Sequence, residues 1–367
     1  MRPVLTLLIA LLASVATPAV HAQYAGTPTD WAAQAQQRDI VLKDFHFADG
    51  ESLALLRMHV MTLGSPHRGA GGEIDNAVMI LHGTGGTGAT FLGPMFADEL
   101  FNSGQPLDIG HNYLIIPDNL GHGKSAKPSD GLRMAFPKYD YADMVLTEKR
   151  MLTEGLGVRR LQLILETSMG CMQSFVWGTT YPGFARRLAP LACNAVEIGG
   201  RNRMWRKMSI DAIEADPVWN HGNYTIQPAA GLRTAAYLTI IAGANPLALQ
   251  LQYPTRLAAE AALDQSFARI TARDNDANDQ IYQLDASRTY KPAALLPRII
   301  VPVLWVNSGD DFINPPELGL AQQQVKEMPR ARFVLIPQTP DTKGHGTHTW
   351  AKFWKADLAK LLAEPAP

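Results

Sequence analysis

Short apolar runs bounded by Gly, Asn or Asp alternate along this chain with stretches whose apolar residues recur every three or four positions. Ala77–Leu81 (AVMIL) and Tyr113–Pro117 (YLIIP) have the length and unbroken apolar character of strands buried on both faces. Leu161–Leu165, Leu188–Ala192, Val301–Val306 and Arg332–Ile336 repeat the pattern, and helical spacing marks Tyr141–Leu156 and Lys352–Leu362. Strand–helix alternation of this kind predicts an α/β fold, with a mostly parallel central sheet covered by helices on both faces. Leu53–Leu63 is assigned to an antiparallel edge. The alternation stops between about Gly200 and Arg298, a helical, Ala- and Arg-rich stretch carrying Trp205, Trp219, Tyr224 and Tyr237. A strand at Ile299–Val306 follows it, so the stretch reads as a lid inserted between sheet strands. The competing reading is a structural elaboration without gating, its aromatic residues forming core.

The first residues change the picture. MRPVLTLLIALLASVATPAVHA has a cationic Arg2, an apolar run from Val4 to Val15, and small residues at Val20 and Ala22. This is the pattern of a secretory signal peptide cut after Ala22, which implies a periplasmic or secreted protein. The expected organisation is therefore a signal peptide at 1–22, a leader segment at 23–40, a core at 41–199 and 299–363, and a helical lid at 200–298. Removing the leader leaves 345 of the 367 residues, enough for one large domain with an insertion.

With 33 basic against 34 acidic residues, no cationic excess exists to displace counterions, which argues against a nucleic-acid partner. Apolar residues make up 46% of the chain and charged residues 18%, the balance of a folded globule. After the leader no apolar run reaches the roughly 20 residues of a membrane span; the longest candidate, Ala235–Leu249, is interrupted by Asn245 and Pro246. The two cysteines, Cys171 and Cys193, exclude a disulfide scaffold. Two buried thiols are the plain reading, and a single bridge between neighbouring strand ends stays open.

The chemistry centres on Leu161-Gln-Leu-Ile-Leu-Glu-Thr-Ser-Met-Gly170. A strand running into x-Ser-x-Gly and then a helix is a nucleophile elbow, which lifts Ser168 above the sheet edge. Gly170 leaves room where strand and helix pass, and the Met169 amide faces the place where an oxyanion develops. After AVMIL comes His82-Gly-Thr-Gly-Gly86, a loop able to present a second amide. Thr84 is the preferred donor and Gly85 the reserve, with His82 and Gly83 bordering the pocket. Mere turn chemistry is the plainer reading of that loop.

Asn307-Ser-Gly-Asp-Asp-Phe-Ile-Asn-Pro315 and Gly344-His-Gly-Thr-His348 each follow a strand, so their side chains meet Ser168 at one sheet edge. A serine hydroxyl needs a base, and the base needs an orienting carboxylate. His345 is assigned as base and Asp311 as orienter. Asp310 becomes a turn or cap residue, and His348 falls in the first turn of the last helix.

Two other readings are weaker. His345 and His348 with His82 or His122 lack the helical H-E-x-x-H context of a metal site, so no metal and no cofactor are expected. Gly121-His-Gly-Lys-Ser125 lacks the leading glycine of a phosphate loop, because Asp118 stands there.

The order Ser, Asp, His is that of the α/β-hydrolases. Ser168-Met-Gly-Cys-Met-Gln173, Trp177-Gly, Tyr181-Pro and Thr153-Glu-Gly-Leu-Gly-Val158 go further, together with Ala212-Ile-Glu-Ala-Asp-Pro-Val-Trp219, Gly222, Tyr224 and Leu284-Asp-Ala-Ser-Arg-Thr-Tyr290. In these the chain resembles the homoserine O-acetyltransferase-like branch of that superfamily over roughly residues 41–362. The resemblance implies the α/β-hydrolase fold, a Ser168–Asp311–His345 triad and a helical lid, through which related enzymes often pair as homodimers.

Acyl-CoA donors are cytoplasmic, whereas this leader implies export, and HGTGG differs from the transferases' His-Ala-Leu-Thr. Both points favour water as acyl acceptor and a small-molecule ester as substrate, with no membrane partner after leader removal. An O-acyltransferase and a non-catalytic binding protein are the alternatives. One departure is serious, because Glu166 stands where the family's elbow has glycine. Either the elbow distorts and activity falls, in which case Glu166→Gly raises turnover, or Glu166 turns into the pocket and modulates the site.

Overall fold

The computed structural model describes residues 29–271 and 276–366. The expected signal peptide lies outside the described residues. Eight strands form one sheet: β1 (Gln36–His46), β2 (Ser52–Leu63), β3 (Ala77–Leu81), β4 (Tyr113–Pro117), β5 (Leu163–Thr167), β6 (Leu188–Leu191), β7 (Val303–Ser308) and β8 (Ala331–Ile336). Their spatial order is β1-β2-β4-β3-β5-β6-β7-β8. All neighbours from β4 onward pair in parallel, while β2 pairs antiparallel with both β1 and β4. The α/β architecture is the expected one.

Several boundaries differ from expectation. Leu53–Leu63 is antiparallel but is not the edge, because β1 lies outside it and takes up residues 36–40 of the expected leader. The strands placed at 161, 299 and 301 begin two to four residues later, because their first residues are approach segments. The helix expected over Tyr141–Leu156 ends as α1 (Tyr141–Arg150) and loosens into a π-helical turn at Met151–Gly155. The last helix starts at Lys355 rather than Lys352, after a 3-10 turn.

Alternation along the strands builds two cores. Met79, Ile164, Val303 and Trp305 face α1 and the nucleophile helix α2 (Met169–Thr180), where Met144, Phe175 and Trp177 pack. Val78, Ile80, Leu163, Leu165 and Leu304 face the other way, towards Phe96, Leu100, Trp354 and Leu358.

Between β6 and β7 the chain leaves the sheet. It forms α3 (Gly200–Glu214), α4 (Ala229–Gly243), α5 (Pro246–Gln252), α6 (Arg256–Thr271) and α7 (Ala277–Asp285), and α8 (Lys355–Ala363) closes the chain. The inserted helices hold a small core of their own, Ile213, Trp219, Leu232, Ala235, Ala277 and Ile281. Trp219 is thus structural here, its Nε1 donating to Asn278 Oδ1 at 2.9 Å. Among the described residues no helix is long and apolar enough to cross a membrane.

Candidate active site

β5 enters α2 through Ser168 at φ 54°, ψ −107°, a conformation a non-glycine residue adopts only under constraint. The constraint is visible on both sides. A Cβ on Gly170 would stand 2.8 Å from Leu81 O, and one on Gly83 would stand 3.0 Å from Ser168 Cβ. Close passage of β3, its following loop and α2 therefore requires glycine at both positions.

The structure brings together the three side chains singled out in the sequence. Ser168 Oγ donates to His345 Nε2 at 2.7 Å, and His345 Nδ1 donates to Asp311 Oδ2 at 2.8 Å. Asp311 also accepts from the amides of Ile313 (2.8 Å) and Asn314 (3.0 Å) and from Asn314 Nδ2 (3.2 Å). Burial pushes its carboxyl up, but the His345 ring and the Asn314 donors outweigh that and hold it below its ordinary range. A carboxylate fixed in this way selects the His345 tautomer whose Nε2 is free to take a proton.

Two amides stand ready beside Ser168. Met169 is the first residue of α2, where helical N–H groups have no intrahelical acceptor. The loop His82–Gly86 lies against Ser168, and among the described residues the Thr84 N–H also has no acceptor. His82 is buried and does not reach the serine. Its Nδ1 donates to Gly83 O at 2.9 Å and its Nε2 accepts from Asn119 N at 3.0 Å, which ties this loop to the one after β4. Burial lowers its pKa, as this neutral, two-role ring requires. Gly85 takes φ +67° at the loop tip, near Gln283 of α7, whose Nε2 donates to Gly121 O at 2.9 Å.

His348 lies in the same 3-10 turn as His345 (Gly344–Thr349) and not in the last helix, with ring centroids 5.1 Å apart. Burial and the neighbouring imidazole lower its pKa to about 3, so it is neutral. Its ring makes no bond to Asp311 or Ser168. Among the described residues no cluster suited to a metal ion occurs.

Glu166 takes neither expected course. The elbow keeps its geometry, and the side chain is fully buried on the face that carries α1 and α2, away from Ser168. Its two oxygens find no donor among the described residues. Burial first, and the neighbouring Glu148 second, raise its pKa well above the carboxylate range; Ser174, outside hydrogen-bond geometry, only tempers this. Glu148 is itself pushed up to about 8 by burial, partly offset by the Trp177 Nε1 bond at 2.7 Å. Beneath the nucleophile sits a pair of buried carboxyl groups, both with pKa values raised by burial, which the sequence pattern did not reveal because Glu148 lies on a different element.

Cys171, three residues past Ser168, is disulfide-bonded to Cys193 after β6, with Cα atoms 5.8 Å apart. The reading of two free thiols is therefore replaced by the bridge. Sequence reasoning also passed over Asn314, although Asp-Phe-Ile-Asn-Pro is the spacing at which an Asx turn brings an amide back onto its aspartate. Asp310 is no turn residue only, since its Oδ2 accepts from Gly344 N at 2.9 Å and so holds the histidine loop. A cleft of about 840 Å³ borders the acid loop, lined by Ile198, Arg201, Asp311, Phe312, Asn314 and Leu318; Ser168 and His345 do not line it.

Comparison with known proteins agrees with this architecture. The sequence profile of the alpha/beta hydrolase fold matches residues 76–341. A probable acyltransferase of Methanothermobacter thermautotrophicus is 27% identical over 299 residues, covering 80% of this chain and 88% of that one. A homoserine O-acetyltransferase of Solidesulfovibrio magneticus is 32% identical over 200 residues, and the match spans 50% of each chain. The crystal structure of an acetylester hydrolase from Corynebacterium glutamicum superposes with a TM-score of 0.77 at 19% identity, covering 90% of this chain and 96% of that one.

Proposed function

Because the chain belongs to the alpha/beta hydrolase fold family, in its homoserine O-acetyltransferase-like branch, we propose that it is an exported serine esterase working through an acyl-enzyme. The observation that carries this reading is the unbroken relay from Ser168 Oγ through His345 to Asp311, at 2.7 and 2.8 Å.

Ser168 attacks the ester carbonyl as His345 Nε2 takes its proton. The carbonyl oxygen becomes an oxyanion within reach of the Met169 and Thr84 amides. Collapse breaks the bond to the alcohol, which leaves with the proton from His345. The imidazole then takes a proton from water, whose oxygen attacks the acyl carbon. The second collapse returns the proton to Ser168 and releases the acid. Asp311 stays ionised throughout and steadies the imidazolium.

Export is supported by the amino-terminal sequence pattern and by a cysteine pair that is bonded, since disulfides persist in oxidising compartments. Relatives named as acyltransferases favour a second reading, in which an alcohol replaces water in the second half. A fluorophosphonate probe tests the nucleophile: labelling is expected in the native chain and lost in Ser168→Ala. Release of acid from short model esters, with and without added alcohol or homoserine, separates the acceptors. Faster turnover into a new ester at constant acyl-enzyme formation would favour transfer.

A further inference from the structure

The lid is stitched to the histidine loop by one buried side chain. Asn245 stands between α4 and α5 and is only 4% exposed. Its Oδ1 accepts from the amides of Leu247 (3.0 Å) and Ala248 (3.2 Å), capping α5. Its Nδ2 points the other way, donating to Thr342 O at 2.8 Å, Thr339 O at 3.0 Å and Thr342 Oγ1 at 3.2 Å. Thr342 Oγ1 also donates to Asp310 Oδ2 at 2.7 Å, the oxygen that accepts from Gly344 N. His345 is the next residue.

The same seam is closed by shape. Gly344 sits at φ +61°, and a Cβ there would stand 2.6 Å from Ala244 O and 2.8 Å from Gly243 O. The last carbonyls of α4 thus press on the residue that precedes the histidine, and no side chain fits between them. Lys343 N donates to Thr347 Oγ1 at 2.8 Å, which completes a loop whose polar groups are bound from the lid, the acid strand and within.

We propose that Asn245 is a positioning residue that couples the lid to the general base, holding the 339–347 loop so that His345 Nε2 meets Ser168. A helix cap needs only the Oδ1 half of this side chain. The Nδ2 half does something a cap does not require: it donates to two backbone carbonyls of the histidine loop, those of buried Thr342 and of Thr339. Lid and base therefore move as one body at this corner, and any opening of the lid must hinge at its other contacts. The functional part of the inference rests on the serine-esterase reading above.

The experiment uses the whole chain and two variants. Asn245→Ser keeps a capping oxygen but is too short to reach the loop. Asn245→Asp keeps the cap and turns an oxygen towards the two carbonyls, so it serves if the first variant folds poorly. Deuterium exchange of the 339–349 amides is expected to quicken about tenfold in either variant, the scale of one or two net hydrogen bonds, with the 246–252 amides unchanged. Fluorophosphonate labelling of Ser168 is expected to lose between about tenfold and a hundredfold in its maximal rate, with half-saturation unmoved. Equal exchange of the 339–349 amides in a folded variant and the native chain would overturn the coupling. Quickened exchange with an unchanged labelling rate would overturn the positioning role. If the native chain does not react with the probe, the esterase reading falls, and the exchange comparison still decides whether the lid holds the loop.

Discussion

Replacing Glu148 with glutamine isolates the cost of the acid pair under the nucleophile. Glu148 is fully buried and its carboxyl is pushed up to about 8, against 4.5 when freely solvated. Between these two pH values the unfolded chain has released this proton and the folded chain has kept it. Stability therefore falls as pH rises across that window, at about 1.4 kcal/mol per pH unit, to a total near 5 kcal/mol. Glu166, also raised, adds a loss of the same sign. Glutamine keeps an oxygen for Trp177 Nε1 and cannot ionise. Glu148→Gln should match the native chain near pH 4 and exceed it by about 5 kcal/mol at pH 8 and above, a large share of the 5–15 kcal/mol typical of a domain. Guanidinium unfolding followed by tryptophan fluorescence at half-unit pH steps measures this directly. Parallel pH profiles for the two proteins, or native stability that climbs from pH 5 to 8, would refute the reasoning.

Other consequences are as direct. Asp311→Asn should cut kcat on a model ester by about 10⁴ with KM little changed, because the amide favours the wrong imidazole tautomer; steady-state kinetics decides. Removing the Cys171–Cys193 bridge by double alanine substitution frees a 22-residue separation and should cost about 3 kcal/mol, read as a lower guanidinium midpoint. Gly170→Ala drives a methyl to 2.8 Å from Leu81 O, where backbone cannot yield cheaply. It should destabilise by about 1–3 kcal/mol and slow labelling of Ser168. Since Glu166 is housed without bending the elbow, Glu166→Gln should leave turnover at pH 6 within about twofold of native, a change too small to count as a lost transition-state contact.

The strands buried on both faces were legible because five consecutive apolar residues bounded by turn residues fit a sheet covered on both sides at Ala77–Leu81 and Tyr113–Pro117. β1 was not, since most of Gln36–His46 faces solvent and its polar residues read as a leader. The elbow, acid loop and histidine loop each announced themselves by a strand running into a turn of fixed chemistry. What joins them did not. Asn245 serves two masters 94 and 97 residues away, and Glu148 meets its partner only after two helices pack, so no local pattern records either. Glu166 looked like damage because the sequence shows the lost glycine but not the buried site on the α1 and α2 face that houses the side chain and raises its pKa.

Ser168 and His345 are 177 positions apart, with the whole helical insertion threaded between β6 and β7. The strand that carries the serine is fifth in chain order, and six of the eight sheet strands precede the two that lead into the acid and histidine loops. On the serine-esterase reading, activity reports on completion of the chain: one that stops short of β8 lacks His345 and has nothing to take the serine's proton.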